Sequence, residues 1–174
     1  AQALWNLNAY PESKIIADKG YELDSNNAKI NYYLGNNFYN VKEYEKAKEY
    51  YNKAIEIDSF NSNSYNALGN VYFYEKDYEK SEEYYKKAIE LNAKNSYPYN
   101  GLGNLYYFKK DYEKAKDFYL KSIEVEPVNS FSYNGLGNVY YFKKDTKKAR
   151  ECYNKSISLD SKNSAAYYNL SNIQ

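Results

Sequence analysis

Apolar side chains recur along this chain with the period of a helix, in blocks separated by short polar steps. Within residues 62–95, Tyr65, Leu68, Val71 and Tyr72 fall at the i, i+3, i+4 spacing of one helical face, and Tyr78, Ser81, Tyr85, Ala88 and Ile89 do so again. The polar step at Lys76 and Asp77 lies between the two stretches, and the asparagine-rich run from Asn92 to Asn95 follows the second. The pattern therefore predicts a helical hairpin. It returns every 34 residues: YNALGNVYFYEKDYEKSE starts at Tyr65, YNGLGNLYYFKKDYEKAK at Tyr99 and YNGLGNVYYFKKDTKKAR at Tyr133, with a looser NYYLGNNFYNVKEYEKAK from Asn31. A fixed period of this length predicts units that stack on their neighbours and do not share one central core.

Gly35, Gly69, Gly103 and Gly137 sit inside the first helix of each unit, where glycine costs about 1 kcal/mol relative to alanine. A close helix approach would offset that cost, and the small residues Ala47, Ser81, Ala115 and Ala149 of the second helices are the expected opposing surface. Ala54, Ala88, Ser122 and Ser156, seven positions later, are expected where the next unit packs.

Taken together, Tyr99, Leu102, Gly103, Tyr106, Ala115, Tyr119 and Pro127 resemble the tetratricopeptide repeat family. The resemblance implies an all-α fold, a right-handed superhelical solenoid of antiparallel helix pairs. Residues 28–61, 62–95, 96–129 and 130–163 would be full repeats of a single array over 1–174. Residues 1–27 would be a partial repeat, with Tyr10, Ser13, Ala17 and Leu23 at second-helix positions, and 164–174 the first helix of a further one. Departures from the family pattern are mild: Asn31 replaces an aromatic, Ser81 an alanine, and Pro127 is the one terminal proline. Thr146 stands where other units have Tyr44, Tyr78 and Tyr112, so the fourth hairpin is expected to be the least well packed.

Charge changes this picture little. With 24 Lys and Arg against 23 Asp and Glu, the net charge of +1 implies neither nucleic acid nor an anionic membrane as partner. No apolar run approaches the roughly 18 residues of a membrane span. A single cysteine leaves no internal disulfide and fits a reducing compartment, so a cytoplasmic location is expected. The abundance of tyrosine (26), asparagine and lysine fits a genome biased to AT-rich codons, and the lack of methionine implies a fragment or a processed product.

Catalysis is not expected. The chain has no histidine to serve as an imidazole base, no Cys/His cluster for zinc, no Walker loop and no dinucleotide fingerprint, so no cofactor is implied. Cys152 occupies the second-helix packing position held elsewhere by Tyr50, Tyr84 and Phe118. Carboxylates alternate with lysines at helical spacing, Glu79 with Lys86 and Glu83 with Lys87 for example, as on a solvated face.

In the family that the chain resembles, first helices line a concave channel. The ninth position of each unit there holds Asn36, Asn70, Asn104 and Asn138, with Asn172 in the partial unit; the fifth holds Asn66, Asn100 and Asn134. An amide both donates and accepts, so this double ladder could pair with the backbone of an extended peptide whatever its side chains. Ala67, Gly101 and Gly135 would leave space beside it, and Tyr39, Phe73, Tyr74, Tyr107, Phe108, Tyr141 and Phe142 would supply aromatic walls. The expected function is a non-enzymatic interaction scaffold that binds a protein or peptide segment in the groove.

Other readings stay open: asparagines bonded between helices, rings that only pack, self-association through uncapped ends, or a substrate-recruiting region of a larger enzyme. The heat-shock carboxylate clamp of some family members is not expected, because Tyr32, Asn36, Ala67, Tyr97 and Gly101 lack its cations. Residues 130–163 carry seven basic against three acidic side chains. Lys143, Lys144, Lys147, Lys148 and Arg150 crowd the last interhelical turn there, forming either a solvated edge or a surface for an acidic partner or a second copy.

Overall fold

Helix follows helix through residues 10–173, which the computed structural model describes, and no strand occurs among them. The chain divides into two units, Ala1–Leu91 and Asn92–Gln174. The first contains α1 (Tyr10–Leu23), α2 (Ala28–Asn40), α3 (Tyr44–Ile57), α4 (Ser62–Tyr74) and α5 (Tyr78–Leu91). The second contains α6 (Ser96–Phe108), α7 (Tyr112–Val125), α8 (Ser130–Phe142), α9 (Thr146–Leu159) and α10 (Ser164–Ser171). Within each unit, α2 pairs with α3, α4 with α5, α6 with α7 and α8 with α9, and α3 and α7 also pack on α4 and α8. First helices lie side by side, α2 against α4 and α8 between α6 and α10. Residues 1–9 of the expected partial repeat, and the side chains of Tyr10 and Ser13, lie outside the described residues; Ala17 is buried and Leu23 exposed.

The asparagine-rich steps between hairpins start helices. Asn27, Asn61, Asn95, Asn129 and Asn163 each accept, through the side chain, a bond from a first-turn backbone N–H. The steps within hairpins end them by a different device. Lys42, Lys76, Lys110 and Lys144 have φ of 64°, 64°, 62° and 61°, the left-handed region that favours glycine. Around Lys110, its own N–H bonds to the Tyr107 carbonyl at 3.0 Å and the Asp111 N–H to the Tyr106 carbonyl at 2.9 Å, the paired closure of a Schellman motif. All four turns repeat it. A side chain in this conformation costs roughly 1–2 kcal/mol, which the two recovered carbonyl bonds offset.

Each hairpin is centred on a tyrosine. Tyr51, Tyr85, Tyr119 and Tyr153 are each 1% exposed, and burial of a side chain this large stabilises the fold by about 2–3 kcal/mol. These rings are what the helical glycines admit. A Cβ on Gly35, Gly69, Gly103 or Gly137 would stand 2.5–2.6 Å from the ring of Tyr51, Tyr85, Tyr119 or Tyr153 respectively. Ala47, Ser81, Ala115 and Ala149, expected to oppose the glycines, are fully buried, but it is a ring that fills the missing side chain's place. Ser81 adds a bond from its hydroxyl to the Gly69 carbonyl at 2.9 Å.

Thr146 leaves the helix core intact. Ala149, Tyr153 and Ser156 are as buried as their counterparts, and the loss is confined to a surface ring contact that Tyr44 and Tyr112 make elsewhere. On the solvated faces, Lys86 pairs with Glu82 and Lys87 with Glu90, not with the carboxylates expected from spacing. These exposed pairs contribute at most a few tenths of a kcal/mol each.

Candidate peptide-binding face

The ninth-position asparagines of the four hairpins lie on first helices within reach of the buried tyrosines, and each accepts a bond from one of them. Tyr51 donates its hydroxyl to Oδ1 of Asn36 at 2.7 Å, Tyr85 to Asn70 at 2.7 Å, Tyr119 to Asn104 at 2.7 Å and Tyr153 to Asn138 at 2.8 Å. Burial holds all four phenols well above their usual pKa, so the hydroxyls remain protonated donors. The bond fixes which end of the amide faces the helix pair. The oxygen is engaged, and the NH2 group takes the other side.

What the NH2 groups then meet differs along the row. Those of Asn70 and Asn138 donate to no acceptor among the described residues. Asn104, which is exposed, makes one long contact to Oδ1 of Asn100 at 3.4 Å. Asn36 lies against the Tyr32 hydroxyl and counteracts part of the upward shift that burial gives that phenol. Asn172, the C-cap of α10, is exposed.

The fifth-position row has a different task. Asn100 donates to Oγ of Ser132 at 3.0 Å, and Ser132 donates to Oγ of Ser122 at 2.7 Å, so this amide ties α6 to a buried serine pair on α8 and α7. Asn134 and Asn138 both accept from Nδ2 of Asn169, at 3.0 and 2.9 Å. Oδ1 of Asn66 is buried without a partner. Asn100 and Asn134 thus bridge neighbouring first helices.

The space expected beside Gly135 is filled. A Cβ there would lie 2.4 Å from Cε1 and Cζ of Tyr119, so this glycine seats the ring of the preceding hairpin and leaves no ligand room. Ala67, at the matching place in the other unit, is buried in one cluster with Ala47 and Tyr51. Sequence spacing shows which residues share a helix face, but not that a ring from the neighbouring helix already covers it.

The predicted aromatic walls gather into clusters within each unit. Tyr39 meets Tyr44 and Tyr74 at 5.9 Å each, and Tyr44 stacks on Tyr74 at 6.3 Å. Tyr107 meets Tyr112 at 5.7 Å and Phe142 at 5.5 Å, and Tyr112 stacks on Phe142 at 5.3 Å. Phe73 contacts Tyr74 and Tyr78, Phe108 contacts Tyr107, and Tyr141 contacts Phe142. The clusters lie at the hairpin turns and join successive hairpins, yet Tyr74, Phe108, Tyr141 and Phe142 stay exposed. An open depression of about 520 Å³, lined by Asn26, Lys29, Tyr32, Tyr33, Asp58 and Asn63 among others, contains none of the predicted site residues.

Cys152 packs against the cluster around Ala115 and Tyr119, and burial pushes its thiol up to about 11, away from the thiolate form a nucleophile needs. No group of three or more Cys, Asp or Glu side chains suited to a metal occurs among the described residues. No helix among them is long and apolar enough to cross a membrane.

Sequence and structure comparisons agree with the helix pairing. A family model described as tetratricopeptide repeat matches residues 26–94, 60–127 and 99–162. No curated protein sequence matches. Among solved structures, MamA is 22% identical with a TM-score of 0.67, covering 90% of this chain and 92% of its own. The Pseudomonas aeruginosa protein pilF is 26% identical with a TM-score of 0.76, covering 84% and 67%. YrrB, described as a TPR protein with an unusual peptide-binding site, is 23% identical with a TM-score of 0.62, covering 96% and 86%.

Proposed function

Since the chain belongs to the tetratricopeptide repeat family, whose fold is that of a generally non-catalytic protein-interaction scaffold, we propose that its first-helix face captures an extended peptide backbone. The repeats are taken as 28–61, 62–95, 96–129 and 130–163. The observation that carries the reading is the tyrosine bond to the amide oxygens of Asn36, Asn70, Asn104 and Asn138, which orients each NH2 group away from its own helix pair. Within each unit the two amides, Asn36 with Asn70 and Asn104 with Asn138, are therefore oriented donors that recognise peptide carbonyls. Recognition of peptide N–H groups, which a freely rotating amide would also offer, is reduced. The peptide-binding site described for YrrB is a parallel on the same fold. The exposed rings Tyr74, Phe108, Tyr141 and Phe142 lie at the turn edge and would contact side chains of the bound segment.

The test uses partners captured on the immobilised protein and then titrated as synthetic segments. Replacing Asn70, Asn104 and Asn138 by alanine should weaken binding by roughly 0.5–1.5 kcal/mol per lost bond while circular dichroism stays helical. A folded triple variant with unchanged affinity would overturn the donor row.

A further inference from the structure

The hairpin turns of the second unit carry a charge pattern that the equivalent turns of the first unit lack. From it we infer that this edge is a second docking surface, fitted to an acidic segment with bulky apolar side chains from another protein. Residues 109–114 and 143–150 hold eight basic and three acidic side chains, a net charge of +5. The equivalent residues 41–46 and 75–82, 68 positions earlier, hold four basic and six acidic, a net charge of −2. The difference belongs to one unit and not to the repeat as such.

Three of these cations are uncommitted. Lys114 pairs with Asp111, Lys148 with Asp145, and Lys143 joins Lys116 on Glu113, whose carboxyl those two lysines hold down at about 2. Lys110, Lys144 and Arg150 are exposed and form no ion pair among the described residues, whereas Lys147 adds to the field that lowers the Asp145 carboxyl. Lys110 and Lys144 also occupy the left-handed turn residues, where glycine would be unstrained. Glycine is used a few residues away at 103, 135 and 137, where a Cβ would meet a ring, so the lysines are not a general avoidance of glycine. Lys42 and Lys76 hold the same position in the first unit, so the feature peculiar to the second is the excess of cations around these turn residues, which fits a ligand of opposite sign.

The rings beside these lysines narrow the ligand class. Phe108, Tyr141 and Phe142 are 62%, 42% and 54% exposed at the ends of α6 and α8. Phe142 has one face stacked on Tyr112 and a second ring, Tyr107, set edge-on at 79°. What remains open suits the side of an aliphatic or aromatic residue better than the stacking platform a nucleic-acid base requires. Phosphate-backbone binding would also gain little from an edge whose remaining lysines are held by Asp111, Glu113 and Asp145. Carboxylates interspersed with apolar side chains match both halves of the surface.

The experiment is fluorescence anisotropy with the full chain and a labelled synthetic peptide alternating Glu with Phe and Leu. Parallel probes are the same peptide with Gln for Glu, an oligothymidylate, and phosphatidylserine vesicles. The acidic peptide should bind, and added salt should weaken it. Replacing Lys110→Gly with Lys144→Gly should reduce its affinity roughly fivefold, while the urea midpoint rises because the turn strain is relieved. The neighbouring Lys109, at φ −69° in the helical region, offers the control: Lys109→Gly should lower the midpoint. Asn104→Ala with Asn138→Ala should leave unchanged the affinity that the Glu peptide gains over its Gln counterpart, which separates the edge from the amide row, where either peptide's backbone can bind. Equal binding by the glycine double variant, equal binding of the Gln peptide, or tighter binding of the oligonucleotide or the vesicles would each overturn the inference.

Discussion

The ring of Tyr119 is flanked by glycine on two helices, and alanine at the two positions should have unequal effects. At Gly103 on α6, an added Cβ would stand 2.6 Å from Cδ1 and Cε1 of the ring. Ordinary contact begins about 0.8–1 Å farther out, so the ring would have to recede by that amount. It is closed in from the other side by the α8 backbone at Gly135. Overpacking of this kind costs about 1–3 kcal/mol, and the gain in helix propensity returns about 1, leaving Gly103→Ala roughly 0–2 kcal/mol less stable.

At Gly135 the crowding looks equal, 2.4 Å to the nearest ring atom. Yet the first unit already holds alanine at the matching place: Ala67 is 5% exposed beside Tyr51, which remains 1% exposed and still donates to Asn36 at 2.7 Å. The packing therefore admits a methyl there, and Gly135→Ala should fall within about 1 kcal/mol of the parent. Urea denaturation followed by circular dichroism, compared at unchanged m, measures both. If Gly103→Ala were more stable than the parent, or Gly135→Ala the more damaging of the two, the account of glycine as the seat of the hairpin's own tyrosine would be wrong.

Buried serines give a second contrast: Oγ of Ser64 has no partner, so Ser64→Ala should stabilise by about 1 kcal/mol, whereas Ser132→Ala breaks bonds with Asn100 and Ser122 and should cost about 1–2, both read from thermal or urea unfolding. Alkaline pH should unfold the protein steeply. The phenols of Tyr51, Tyr85, Tyr119 and Tyr153 have pKa values raised by burial, so their contribution is complete below the usual phenol value near pH 10 and is lost as pH rises toward the folded values. Each contributes about 1.4 kcal/mol of lost stability per pH unit above that point, and tyrosinate absorbance from these four should appear only together with loss of helix. Tyr119→Phe should flatten the profile and leave the Asn104 amide free to rotate. In the first unit, Lys42→Gly and Lys76→Gly should each stabilise by about 0.5–1 kcal/mol by denaturation, because both sit at φ 64°.

The all-helical fold could be read from spacing because four registers of one pattern agree, and the asparagines before each hairpin are recognisable caps. The partner of each glycine could not. Spacing pairs small residues with small residues, whereas the direction of a helical side chain, leaning back toward the preceding turn, brings a tyrosine over the gap. The constant offset of 15 residues between Asn36 and Tyr51, Asn70 and Tyr85, Asn104 and Tyr119, and Asn138 and Tyr153 is present in the sequence, and it is the signal by which the amide orientation could be anticipated. Nothing in the sequence marks Lys42, Lys76, Lys110 and Lys144 as left-handed, because lysine carries no turn preference; the geometry comes from closure of the helix ends. The split between outward and bridging asparagines was equally hidden, since Asn100 and Asn104 share a helix face and differ only in whether Ser132 stands within reach.

The bonds that close each hairpin turn run from backbone to backbone, so the side chain at its left-handed residue contributes nothing to the closure. Such a residue can be exchanged over evolutionary time at an almost fixed energetic penalty and without disturbing any packed neighbour. A stack of these hairpins thus carries a row of interchangeable surface addresses beside an unchanging interior, and two arrays with the same core could diverge in what they recognise through those few letters alone.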